Sequence, residues 1–90
     1  MINPDGVIIG NSRCNFYGLD LNRQWKRSNK NYSQEVYSLK RFLLKFKDRI
    51  EMVIDLHGHS KERNVFAYGM HDFKNPFSTR EFPYILSKIT

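Results

Sequence analysis

A single cysteine, Cys14, stands among the 90 residues. That excludes a disulfide framework and fits a reducing compartment. The thiol reads as a small buried or half-buried side chain rather than a nucleophile. Long apolar runs are also missing. None approaches the length of a membrane span, and none follows Met1 as the apolar part of a signal peptide would, so no membrane partner is expected. There are no internal repeats and no low-complexity segments. An apolar content of 40% with 27% charged residues argues against global disorder. Acidic residues are scarce where basic ones are dense. Met1 to Ile50 holds ten Lys/Arg against four Asp/Glu, and the remainder is balanced, so the whole net charge of +6 resides in the first part. Such a field attracts acidic partners or substrates. The basic residues form no nucleic-acid motif, and no nucleic acid is expected to bind.

What is present is most concentrated in Val53-Ile54-Asp55-Leu56-His57-Gly58-His59-Ser60. Met52 to Ile54 has the pattern of a strand buried on both faces. It ends in one carboxylate, two imidazoles and a glycine. Strand geometry puts Asp55 and His57 on one face and Leu56 on the other. A strand that delivers imidazoles to its own exit commonly holds a catalytic metal. His57 is the natural first ligand, Asp55 could orient it, and His59 is a second candidate. The plain alternative is a buried strand followed by a polar turn whose histidines are only hydrogen-bonded. His71 reads as a surface residue. A catalytic zinc takes three protein ligands plus water, and no His-x-x-Glu pair occurs in the chain, so the set is expected to be incomplete here.

Along the rest of the chain, Asn3-Pro4-Asp5-Gly6 is a turn signal, and Val7 to Ile9 reads as a short strand or extended loop. Gly10 to Lys30 is rich in Asn, Ser, Gly and charge, with Leu19, Leu21 and Trp25 as its buried points; a long irregular stretch of this kind is usually functional. Asn31 to Ser33 offers helix N-caps, Asn31 and Gln34 having capping-box spacing. Val36, Leu39, Leu43, Phe46 and Ile50 then form one helical stripe. Lys40, Arg41, Lys45 and Asp48 lie off it and are expected in solvent. The helix ends near Arg49 and feeds the strand of Met52 to His57, one half of a βαβ unit. Asn64 to Gly69 reads as a second strand. Pro76 and Pro83 interrupt the tail, with a helix expected from Tyr84 to Ile89. One helix and two or three short strands cannot cover a doubly buried strand, so residues 1–90 are expected to be part of a larger catalytic domain.

A second constellation is Arg13, Asn22 and Arg23. Arginine presents a planar fork of donors matched to carboxylates and oxyanions. Adjacent Asn22 and Arg23 would make a carboxylate clamp, and Arg13 could stabilise charge developing on a carbonyl oxygen. The competing reading is a set of solvent-exposed arginines in a basic loop.

Asn3-Pro4-Asp5-Gly6, Arg13-Cys14, Gly18-Leu19-Asp20-Leu21-Asn22-Arg23-Gln24-Trp25 and Asp55-Leu56-His57-Gly58-His59-Ser60 occur in this order, and the order resembles that of zinc metallocarboxypeptidases. The similarity is greatest to the cytosolic branch, which trims glutamates from the tails of tubulin and other proteins; Asn64 to Gly69 and Glu81-Phe82-Pro83-Tyr84 also look like that branch. The resemblance implies that His57 is a zinc ligand and that Arg13 polarises the scissile carbonyl. It implies that Asn22 and Arg23 hold the terminal carboxylate of an acidic, tubulin-like protein tail, and that Asp20 supports a zinc-bound histidine. His59 lines the site in that family without ligating. The family's His-x-x-Glu ligand pair is expected upstream of Met1 and its catalytic glutamate downstream of Thr90. The expected fold is α/β: the central slice of a mixed, mainly buried sheet with helices on both faces. The expected protein is cytoplasmic and microtubule-associated, and the segment alone is expected to be inactive. Two other readings stand beside it. Asp55-x-His57-x-His59 also resembles the metal motif of amidohydrolase barrels, a fold that needs about 250 residues. A non-catalytic basic module that binds acidic tails or nucleic acid would explain the charge but not His57.

Overall fold

The structure, a computed structural model, describes residues 1–89. The chain divides into two compact units, Met1–Ile54 and Asp55–Thr90, each described by itself. The elements in order are α1 (Pro4–Ile8), a 3-10 turn at Leu21–Arg23, α2 (Gln34–Lys45), a second 3-10 turn at Lys47–Arg49 and α3 (Ser78–Ile89). None of these helices is long and apolar enough to cross a membrane.

The first unit opens with a helix where a turn and a strand were expected. Asn3 caps α1, its side-chain oxygen accepting from the Gly6 N–H at 3.0 Å. Pro4 occupies the first helical position, where a missing N–H costs nothing. Gly10, with φ of 76°, stops the helix: its N–H reaches the Val7 carbonyl at 3.1 Å and the Asn11 N–H reaches that of Gly6 at 2.7 Å, the paired bonds of a Schellman cap. Val7, Ile8 and Ile9 are therefore helical or capping, and exposed. The other half of the Asn3 amide donates to the Cys14 carbonyl at 3.1 Å. Gly6 sits against the same carbonyl, where an added Cβ would come within 2.6 Å, so only glycine fits there.

Cys14 and Asp20 then face each other across an isolated antiparallel bridge. The loop between them turns on Gly18, whose φ of 71° suits the left-handed end of a three-residue hairpin. Asn15, only 4% exposed, organises it. Its Oδ1 accepts from the Tyr17 and Leu19 N–H groups at 3.0 and 3.1 Å, and its Nδ2 donates to the Tyr32 carbonyl at 2.8 Å.

α2 follows the expected stripe. Val36 is buried and Leu39, Leu43, Phe46 and Ile50 are half-buried, while the 3-10 turn carries the helical path to Arg49. The expected Asn31–Gln34 capping box does not form: Ser33 is the N-cap, without a side-chain cap bond. Its Oγ instead accepts from the Asn29 N–H at 2.7 Å.

The α/β expectation is overturned. Among the described residues there is no sheet, only that single bridge. Met52 to His57 and Asn64 to Gly69, both read as strands, are irregular and exposed, with Val53 62%, Leu56 93% and Tyr68 82% accessible. The physical reason is that a strand has no hydrogen-bonding partner within itself. Here no second strand pairs with either stretch, so β-branched composition alone produces no ladder. In the second unit α3 starts earlier than expected and carries Pro83 inside it. Ser78, Arg80 and Glu81 N–H groups are satisfied by the carbonyls of Asn75 and Phe77. The helix begins before the proline, which removes one internal bond without ending it.

Asn15→Ala would leave two N–H groups and one carbonyl of the first unit unpaired. At roughly 1 kcal/mol for each lost bond, the expected loss is about 2–3 kcal/mol, read as a lower urea midpoint by the fluorescence of Trp25. An unchanged midpoint would show that water replaces these bonds at no cost.

Candidate functional site

The hairpin places Arg13 opposite Asp20 although seven residues separate them in sequence. Asn11 fixes that edge, its Oδ1 accepting from the Arg13 and Cys14 N–H groups at 2.9 and 2.8 Å. Asp20 is the N-cap of the first 3-10 turn, with Oδ1 accepting from the Asn22 N–H at 3.0 Å. Its Oδ2 lies 3.5 Å from a terminal guanidinium nitrogen of Arg13 and 3.9 Å from Nε of Arg23. One carboxylate thus gathers both arginines. Their side chains remain 68% and 72% exposed, against 23% for Asp20.

Asn22 is oriented by its neighbour. The Trp25 indole N–H, which can only donate, points to Asn22 Oδ1 at 3.2 Å. The Asn22 amide nitrogen is therefore directed away from the indole and available as a donor, on the same short turn as Arg23. Two guanidinium groups and one amide N–H2 around a single capping carboxylate can receive an anion of carboxylate shape. The structure thus brings together Arg13, Asp20, Asn22 and Arg23. Sequence reasoning read Asp20 only as support for a histidine; its partners in the first unit are the two arginines and the Asn22 backbone. It also missed Lys40. Expected in solvent, Lys40 is half-buried and its Nζ donates to the Trp25 carbonyl at 2.8 Å. No signal in the helical stripe marks that bond.

The second unit holds the imidazoles. His57 Nδ1 lies 3.4 Å from Asp55 Oδ2, as the same-face reading of an extended segment requires. At that separation the pair is a weak polar contact rather than a hydrogen bond, with both side chains more than half exposed. His59 differs. Its Nδ1 accepts from the Lys61 and Glu62 N–H groups at 3.2 and 2.9 Å, and its ring lies edge-on to Phe66 at 5.2 Å. Neutral imidazole with Nδ1 accepting carries its hydrogen on Nε2, which leaves no lone pair for a metal. Among the described residues no three His, Cys, Asp or Glu side chains converge. A single imidazole does not fit a catalytic zinc by itself, and the described residues do not make the site alone.

The comparisons with known proteins point to one family. The chain is 40% identical over 92 residues to cytosolic carboxypeptidase 2 of Mus musculus, covering 98% of this chain and 11% of that protein. It is 49% identical over 72 residues to cytosolic carboxypeptidase 1 of Danio rerio, covering 77% of this chain and 6% of that protein. With cytosolic carboxypeptidase 3 of Bos taurus the identity is 38% over 94 residues, 98% of this chain and 9% of that protein. No family model and no solved structure matches the chain. The chain belongs to the cytosolic carboxypeptidase family. It spans about a tenth or less of the length of these relatives.

Two substitutions separate the roles of Asp20. Asp20→Asn keeps a capping oxygen and loses only two exposed ion pairs, so its expected cost is below about 1 kcal/mol. Asp20→Ala also loses the cap, adding about 1 kcal/mol. Equal urea midpoints for the two variants would show that the cap contributes nothing.

Proposed function

We propose that this segment contributes the substrate-carboxylate site of a zinc metallocarboxypeptidase. Asn22 and Arg23 hold the terminal carboxylate of the peptide, Arg13 faces the carbonyl to be cleaved, and His57 is one ligand of the zinc. The observation that carries the reading is the arrangement around Asp20, where two guanidinium groups converge on one carboxylate and the amide of Asn22, oriented by the Trp25 indole, lies on the same short turn as Arg23. The preferred substrates are acidic C-terminal tails such as those of tubulin, with glutamate removed first. The excess of basic residues in the first part of the chain supports that preference, since it raises the local concentration of acidic peptides. A cytoplasmic, microtubule-associated protein is the setting in which such tails are met.

The clamp is tested by binding. N-acetyl-triglutamate with a free C-terminal carboxylate is titrated against its C-terminal amide, followed by the side-chain resonances of Asn22 and Arg23. Exposed ion pairs contribute up to about 1 kcal/mol, so the free acid is expected to bind about fivefold tighter. Arg23→Ala should abolish the preference, and Arg23→Lys should restore only part of it, because a point charge cannot reproduce the fork. Equal affinity of the wild-type chain for acid and amide would sink the clamp.

Peptidase activity is a separate matter. The 90-residue chain supplied with zinc is expected to release no glutamate from a polyglutamate-tailed peptide, because a lone imidazole cannot hold the metal. Turnover that a chelator abolishes would show that further ligands had been overlooked.

A further inference from the structure

We infer that Trp25 and Lys40 are positioning residues for the carboxylate clamp, an inference that rests on the reading of Asn22 and Arg23 given above. The connection is a continuous polar path within the first unit. Lys40 Nζ, on α2, donates to the Trp25 carbonyl at 2.8 Å across 15 residues of sequence. The Trp25 indole N–H donates to Asn22 Oδ1 at 3.2 Å. The Asn22 backbone N–H in turn donates to Asp20 Oδ1 at 3.0 Å, and Asp20 Oδ2 faces both arginines.

Each link constrains a different degree of freedom. An asparagine amide rotates readily and presents either oxygen or nitrogen to an incoming anion; presenting oxygen would repel a carboxylate. The indole has no acceptor, so it selects the orientation with the oxygen inward and the N–H2 outward. The indole can do so only if its own backbone is held. Gln24 follows the 3-10 turn and the chain beyond it is irregular, so Trp25 lacks a helical ladder to fix it. The ammonium of Lys40 supplies the anchor with a charge-assisted bond from a regular, twelve-residue helix. Lys40 is half-buried there, where competing water is reduced. A lysine meant only for solubility has no reason to spend its side-chain freedom on a loop carbonyl.

The test measures the acid-to-amide preference of N-acetyl-triglutamate on the 90-residue chain for four proteins: wild type, Trp25→Phe, Lys40→Met and Lys40→Arg. Trp25→Phe keeps an apolar ring and removes the donor. Lys40→Met keeps the length and removes the charge, and Lys40→Arg keeps a donor. Trp25→Phe and Lys40→Met are expected to bind the free acid at least threefold more weakly while their affinity for the amide stays within twofold. The Asn22 side-chain amide protons should shift in both. Lys40→Arg should regain most of the preference, a rescue that a purely structural lysine would not require of the ligand assay. If both donor-removing variants fold and keep the wild-type preference, the inference is overturned and the clamp survives. If the wild type itself shows no preference, the clamp reading fails and this inference with it. Should Trp25→Phe fail to fold, Lys40→Met against Lys40→Arg decides alone: loss with rescue supports the path, and loss without rescue overturns it.

Discussion

The first unit depends on the closing of one short loop around the buried amide of Asn15. Its two lone-pair directions take the N–H groups of Tyr17 and Leu19, and its nitrogen reaches the carbonyl of Tyr32. The first pair shapes the hairpin; the last ties the hairpin to the residue before the N-cap of α2. Among the described residues only Leu21 and Val36 are buried hydrophobics, so area burial contributes little, and polar satisfaction carries the local geometry. A buried amide is costly when unpaired and specific when paired. No buried side-chain nitrogen or oxygen among the described residues lacks a partner. The arrangement of Arg13, Asp20 and Arg23 is a consequence of that closure, because the bridge from Cys14 to Asp20 exists only while the loop is shut.

Asp20 has to do two things that compete. In the proposed clamp it must hold the arginines near one another, yet not so tightly that a ligand cannot take them. The separations of 3.5 and 3.9 Å are longer than the roughly 2.8 Å of a strong charge-assisted bond. One Asp20 oxygen is already committed to the Asn22 N–H, so the carboxylate faces the arginines with the other. One negative charge set between two positive ones leaves a net positive site, and the exposure of both guanidinium groups leaves their forks open. In water such charges attract weakly, which makes the orientation of the neutral Asn22 amide a larger part of the discrimination than its lack of charge suggests.

Much of the local structure was legible, and the reasons for the rest are physical. The α2 stripe was readable because a 3.6-residue period is a property of one segment. Asp55 and His57 were readable as neighbours because extended chain puts alternate residues on one side. The strands were not, since pairing depends on a second segment that composition does not supply. Pro4 at the start and Gly10 at the stop of α1 spelled a short helix, but the turn chemistry of Asn-Pro-Asp-Gly hid it. Arg13, Asn22 and Arg23 were identified by their order along the chain, whereas their meeting on Asp20 needed the hairpin. Lys40 was misread because a stripe tells only which residues face away from it, not what the opposite face meets.

His57 and His59 show how little spacing alone decides. Both follow the same apolar run, two residues apart, and a motif search treats them alike. Their chemistry is set by what each Nδ1 does. At His57 it faces the Asp55 carboxylate at 3.4 Å, a contact that does not involve Nε2. At His59 it accepts two backbone N–H groups, which fixes the hydrogen on Nε2 and uses the ring to hold a turn. The second is committed to structure, and the first is not. The difference follows from neighbours that point in opposite hydrogen-bonding directions, an acceptor at Asp55 and donors at Lys61 and Glu62.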